Sequence, residues 1–183
     1  MRFLLFVALI FTISPGQITP MQKLYKLYKA KAYKEACNYG LRNFSKYKGN
    51  SDYIMLYAFA CLNADYIDRL AVPSTALRKT ATERKNAAYF STILLQKKLL
   101  YTALIDGTDI FGIRLPVTTY PLSIVFDKYS KKEYTLRQGV YYFTDDRNPD
   151  RTYHLYLERV GQNFHMVLEE YEKGKLQKTH KYW

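Results

Sequence analysis

The chain is poor in cysteine, glycine, proline, tryptophan and acid. Two cysteines cannot build a disulfide-scaffolded domain or a four-cysteine zinc site. Eight glycines and six prolines in 183 residues exclude a collagen-like or linker-like chain. A hydrophobic fraction of 48% excludes disorder. No apolar run reaches the ~20 residues that a membrane-spanning helix needs. Nucleophile elbow, phosphate loop, zinc signature and dinucleotide fingerprint are all missing. The sequence therefore reads as non-enzymatic, with no catalytic residue, metal ligand or cofactor assigned. The length suits one domain, or two small units sharing a core.

Acid is the scarcer charge. Sixteen Asp and Glu face 28 Lys and Arg, a net +12. Alone, that balance suggests nucleic acid. The amino terminus argues otherwise. Arg2 precedes an apolar run over residues 3–13, followed by Ser14, Pro15 and Gly16. A basic start, a short apolar stretch and a small-residue exit describe a secretory signal peptide, with cleavage expected after Gly16. The alternative is a buried amino-terminal helix. No cysteine follows to carry a lipid. Export places the mature protein in the periplasm, soluble and away from nucleic acid. The excess charge then concentrates in residues 23–48, where Lys23, Lys26, Lys29, Lys31, Lys34, Arg42, Lys46 and Lys48 are opposed only by Glu35. These eight are the candidate binding residues.

The first half has helical periodicity. Met21, Leu24, Tyr25 and Tyr28 form one stripe, and Tyr33, Ala36, Cys37, Gly40, Leu41 and Phe44 another. A break at residues 48–50 leaves Ser51 or Asp52 to cap a third helix over residues 53–62, which is apolar nearly all round. A short helix restarts at Asp65 and should end at Pro73. Ser74 or Thr75 can cap a longer stretch, with a break near residues 80–86 where Thr80 and Glu83 offer a capping box for a new helix. Residues 87–105 should pack on the 53–62 helix and stop at Asp106–Gly107. In a hairpin turning at Gly49, paired positions add to about 98. Cys37 and Cys61 meet that condition, so an oxidising compartment favours a disulfide between them; otherwise they are small buried core residues.

The second half changes period. Pro121 begins a helix capped by Thr119 or Tyr120, with Leu122, Val125, Phe126 and Tyr129 as its stripe. Residues 140–144 form a strand and residues 145–150 a polar loop. Tyr153, Leu155 and Leu157 then alternate with His154, Tyr156 and Glu158, and after a turn at Gly161–Gln162 the alternation resumes. Lys173–Gly174 turns into a last strand. This register sets Leu155 beside Leu168, Leu157 beside Met166, His154 beside Glu169 and Glu158 beside His165, with Glu169 near Lys178. His154, His165 and His180 thus read as cross-strand partners on a solvated face. Glu169 and Glu170 point to opposite faces and are no general acid/base pair. The fold class is α+β: amino-terminal helical hairpins over residues 17–110, then an α+β region over 111–183 with a small antiparallel β-meander.

Tyr33 and Ala36 after a Tyr/Leu helix, and Tyr66 after the helix holding Tyr53, Leu56 and Ala60, resemble two degenerate tetratricopeptide repeats, whose period is about 34 residues. The Tyr/Lys-rich style is similar to that of periplasmic proteins of Campylobacter-like bacteria. The resemblance implies a protein–protein interaction or scaffold module docking another envelope protein, with a flagellar-motor periplasmic scaffold as one such assembly. The residues themselves leave open a second expectation, that residues 23–48 bind anionic envelope polymers or a membrane surface.

Overall fold

The computed structural model describes residues 18–183; the expected signal peptide, residues 1–16, lies outside the described residues. Helices precede strands: α1 Pro20–Lys29, α2 Tyr33–Arg42, α3 Phe44–Tyr47, α4 Ser51–Asn63, a 3-10 turn Ile67–Leu70, α5 Ala71–Ala76, α6 Ala81–Asp106 and α7 Pro121–Lys131. A sheet follows, β1 Thr135–Arg137, β2 Val140–Asp145, β3 Asn148–Val160, β4 Asn163–Glu172 and β5 Lys175–Tyr182, antiparallel throughout and ordered as in the chain. This is the expected α+β class with a carboxy-terminal meander. No described helix is long and apolar enough to cross a membrane.

Local chemistry explains the helix starts. Thr19 and Gln22 complete a capping box in front of Pro20. Asn50, not Ser51 or Asp52, caps α4, because it is the extended residue leaving the turn and its side chain accepts from Tyr53 N at 2.9 Å. Thr80 caps α6 and accepts from Glu83 N, while the Glu83 carboxylate takes the amides of Arg78 and Lys79. The long helix therefore begins at Ala81, not at Ser74 or Thr75. Pro73 does not end a helix either. It sits in the first turn of α5, where an amide would have no helical partner. Gly107, in the left-handed region, stops α6.

The fully buried face of α4 holds Tyr53, Ile54, Tyr57, Ala58, Ala60, Cys61 and Leu62. It packs on α2 so closely that Cys37 and Cys61 form a disulfide. Arg69, in the 3-10 turn, reaches back to the same level, donating to Asn38 Oδ1 at 2.8 Å and lying over the Tyr66 ring. Leu41, expected on the buried stripe, is exposed.

α1 and α4 end in the same way. Ala30, Lys31 and Ala32 donate to the carbonyls of Lys26, Tyr28 and Leu27; Ala64, Asp65 and Tyr66 donate to those of Ala60, Leu62 and Cys61. Every donor and acceptor in the second set lies 34 positions after its counterpart. Both sets are Schellman caps with a left-handed residue that is not glycine, Lys31 at φ 57° and Asp65 at φ 64°, and α7 ends in the same cap at Lys132, φ 59°. The backbone repeat matches Tyr66 with Ala32, one residue from the tyrosine match in the sequence.

In the sheet, the β3–β4 register is the expected one: Leu155 faces Leu168, Leu157 faces Met166, His154 faces Glu169 and Glu158 faces His165. Two features were not expected. Residues 134–139 supply a short first strand and turn, and the loop after β2 tightens to residues 146–147 because β3 begins at Asn148. Phe143, Tyr153, Leu155, Met166, Leu168 and Tyr182 form the buried side of the sheet and join the helical core in one cluster that begins at Leu24. Helices α6 and α7 lie against it. Phe90 of α6 meets Phe59 of α4 edge-on at 5.1 Å, as expected for residues 87–105.

Two outcomes follow from the α2–α4 contact. A methyl on Gly40 would stand 2.5 Å from a ring carbon of buried Tyr57, so Gly40→Ala should lose about 1–3 kcal/mol in denaturant unfolding, while Gly49→Ala, with open space around it, should not. Replacing Cys37 and Cys61 by serine should lower stability by about 3 kcal/mol, and the denatured, unreduced protein should titrate no free thiol.

Candidate functional site

The last strand sets the geometry. Near the Lys173–Gly174 turn, Glu172 faces Lys175 and Tyr171 faces Leu176, in the expected register. A bulge between Glu170 and Tyr171 then shifts the pairing by one residue. Glu170, not Glu169, faces Lys178, and Glu169 faces Thr179. A one-residue shift exchanges the two faces of a strand. His180 thereby comes opposite Leu168 and Tyr182 opposite Met166, both facing the core, while Thr179 and Lys181 turn outward. His180 is 1% exposed. The expectation that it lies on a solvated face is corrected by this bulge.

Buried His180 is held by two carboxylates. Its Nδ1 lies 2.6 Å from Asp65 Oδ1 and its Nε2 lies 2.6 Å from Glu170 Oε1. Tyr120 donates to the same Asp65 oxygen at 2.9 Å, and its hydroxyl is 3.1 Å from that of Tyr182. Each member arrives for a local reason. Asp65 is the left-handed cap residue of α4, Tyr120 precedes Pro121 at the start of α7, Glu170 sits at the bulge, and His180 is turned in by it. Burial alone would pull the imidazole down, but the two carboxylates outweigh it and hold its pKa above the usual 6.5. Burial pushes both Tyr120 and Tyr182 well up, so both hydroxyls stay protonated. With both ring nitrogens engaged, His180 has none left to take a substrate proton.

The other histidines are nearer to expectation. On the outer face, Tyr156 and Tyr171 donate to Glu169 at 3.1 and 2.9 Å, and His154 Nδ1 lies 3.8 Å from it. Burial lowers the His154 pKa, which favours the neutral ring. His165 keeps its register with Glu158, but that carboxylate takes Lys181 at 2.6 Å, and His165 packs against Trp183 instead. Glu169 and Glu170 do face opposite ways. Among the described residues no cluster of His, Cys, Asp and Glu is arranged to hold a metal ion.

Beside the clasp lies a cleft of about 650 Å³, within the range of ligand sites. Its walls come from three places: the α1–α2 turn with Lys31, Tyr33, Lys34 and Glu35; the α4 cap with Asn63, Asp65 and Tyr66; and the sheet with His165, Lys178, Thr179, Lys181 and Trp183. Trp183 stands edge-on to Tyr66 at 5.7 Å. Of the lysines, Lys181 is paired with Glu158, whereas Lys31, Lys34 and Lys178 have no ion-pair partner among the described residues. Asp65 is already taken by His180 and Tyr120. Glu35 is the one carboxylate here unpaired among the described residues, against three unpaired lysines, so the cleft is net electropositive, with aromatic walls. Next to it, buried Lys97 bridges Asp68 and the main-chain oxygen of Trp183, fixing the end of β5 to α6.

All eight cationic residues singled out in the sequence are exposed. Lys31 and Lys34 line the cleft; Lys23, Lys26, Lys29, Arg42, Lys46 and Lys48 do not, and spread along α1 to α3. The cleft residues from the sheet were not anticipated. The signal for them was the pair His180 and Tyr182, whose placement inside requires Lys181 outside.

Comparison of the chain with protein-family models, with curated proteins and with solved structures finds no match.

The clasp has a pH signature. His180 holds its proton more tightly folded than unfolded, so its contribution to stability is complete below pH 6.5 and is lost as pH rises through the elevated folded value. The urea midpoint should therefore fall as pH rises above 6.5. His180→Asn should flatten that fall, and His154→Asn should keep it. His180→Ala, which strands two carboxylates, should cost about 3 kcal/mol.

Proposed function

We propose that this protein is a non-enzymatic interaction or scaffold module of the periplasm, and that the cleft between the α1–α2 turn and β5 receives an acidic segment of another envelope protein. One observation carries the reading: Lys31 and Lys34 from the α1–α2 turn and Lys178 from β5 converge without ion-pair partners among the described residues on a cavity of ligand size with aromatic walls, outnumbering the one unpaired carboxylate there, Glu35. Unpaired cations on a concave surface focus field and favour an anionic partner. The resemblance to tetratricopeptide helix pairs points the same way, since such pairs bind proteins through extended surfaces. Both ring nitrogens of His180 are occupied by carboxylates, which supports a structural role for the most buried titratable cluster. A flagellar-motor scaffold is one assembly in which such a subunit would serve.

A second reading has its own observation. Six exposed cations lie outside the cleft along α1–α3, a surface suited to anionic envelope polymers or membrane headgroups.

The two separate in one experiment. A photoreactive residue in place of Thr179 should crosslink in intact cells to one protein in fixed ratio. Reversing Lys31, Lys34 and Lys178 to glutamate should reduce that product at least about tenfold, whereas reversing Lys23, Lys26 and Lys29 should not. Loss on reversing the second set alone would favour the polymer surface. Fractionation should find the protein processed and outside the cytoplasm.

A further inference from the structure

We infer that the occupant of the cleft is an extended acidic peptide that adds to β5 as a sixth strand; this rests on the cleft being the binding site. β5 is an edge strand of eight residues, paired only with β4. Among the described residues no main-chain hydrogen bond from another element reaches Lys175–Tyr182. In an antiparallel pair, alternate residues turn their amide and carbonyl groups away from the partner, so one side of β5 keeps a row of free donors and acceptors.

The cleft runs along that row. Successive side chains of a strand point to opposite faces. Thr179, Lys181 and Trp183, with His165 of β4, meet this cavity from the outer face, whereas Lys178 meets it from the inner face together with the α4 cap, so the cavity reaches round the free edge of β5. It therefore lies alongside the strand. The α1–α2 turn closes its far side with Lys31 and Lys34. A strand seated there would lie about 4.8 Å from β5, between lysines on either side, and would span about five residues at roughly 3.3 Å each. Main-chain bonds would supply affinity, and alternate side chains specificity.

Charge selects the occupant. A second copy pairing through the same edge would bring Lys175, Lys178 and Lys181 against their own counterparts, the arrangement by which edge strands resist self-association. An acidic strand reverses that repulsion. Trp183 is the only tryptophan in the chain and forms one wall of the cleft, so its emission reports on occupancy directly.

The experiment uses the protein as purified from cells, with its disulfide intact, to select from a random decapeptide library, and then the most enriched peptide in two forms, unmodified and N-methylated at alternate amides. Enriched sequences should carry Asp or Glu at alternate positions and lack internal proline. The unmodified peptide should shift Trp183 emission and slow hydrogen exchange of β5 amides at least about tenfold. N-methylation of one of the two alternate amide sets should weaken binding at least about tenfold. Enriched peptides that bind equally well in unmodified and both N-methylated forms, but are lost when Lys31, Lys34 and Lys178 are reversed to glutamate, would overturn strand addition and leave the acidic cleft standing. Enrichment that is absent, or unchanged by that reversal, would overturn both.

Discussion

A single imidazolium between two carboxylates joins the helical and β parts of this protein. Asp65 belongs to the cap that ends α4, Glu170 to β4 and His180 to β5, and Tyr120 brings the start of α7 to the same point. The His180 ring and two tyrosine hydroxyls are withdrawn from water here and the two carboxylates are largely covered, which is unfavourable for any one of them alone. Together they satisfy one another: each ring nitrogen donates to a carboxylate, and Asp65 also accepts from Tyr120. The arrangement works only when all the elements are in place. It is a constraint on assembly more than a source of net stability, since buried ion pairs gain little over apolar packing.

The cleft is a consequence of that constraint. Docking Asp65 onto His180 brings one left-handed cap against the sheet. The cap of α1, at Lys31, lines the same cleft from across it. The bulge that buries His180 also turns Lys181 outward. The basic cavity and the clasp are two sides of one register shift.

The sequence made most of this fold legible where chemistry is local or periodic. Cys37 and Cys61 could be placed opposite each other from the position of Gly49 alone. The β3–β4 register followed from the turn at Gly161–Gln162, and it sets Leu155, Leu157, Met166 and Leu168 on one face. The last strand could not be read this way. A turn predicts register only as far as the pairing stays regular, and the bulge beyond Tyr171 leaves no motif of its own. A regular register puts His180 on the outer face, whereas the bulge buries it. Of the candidate site, the Lys31 and Lys34 side was visible as part of a charged stretch, but nothing local distinguished those two from the six neighbours that point elsewhere. Only the tertiary approach of β5 does.

The clasp itself is open to direct observation. In a ¹⁵N-resolved imidazole spectrum, His180 should show two protonated nitrogens at pH 6.5, with both protons protected from solvent exchange, and should lose one only as pH rises above that value. A single neutral tautomer with one bare nitrogen at pH 6.5 would contradict an imidazolium held between Asp65 and Glu170.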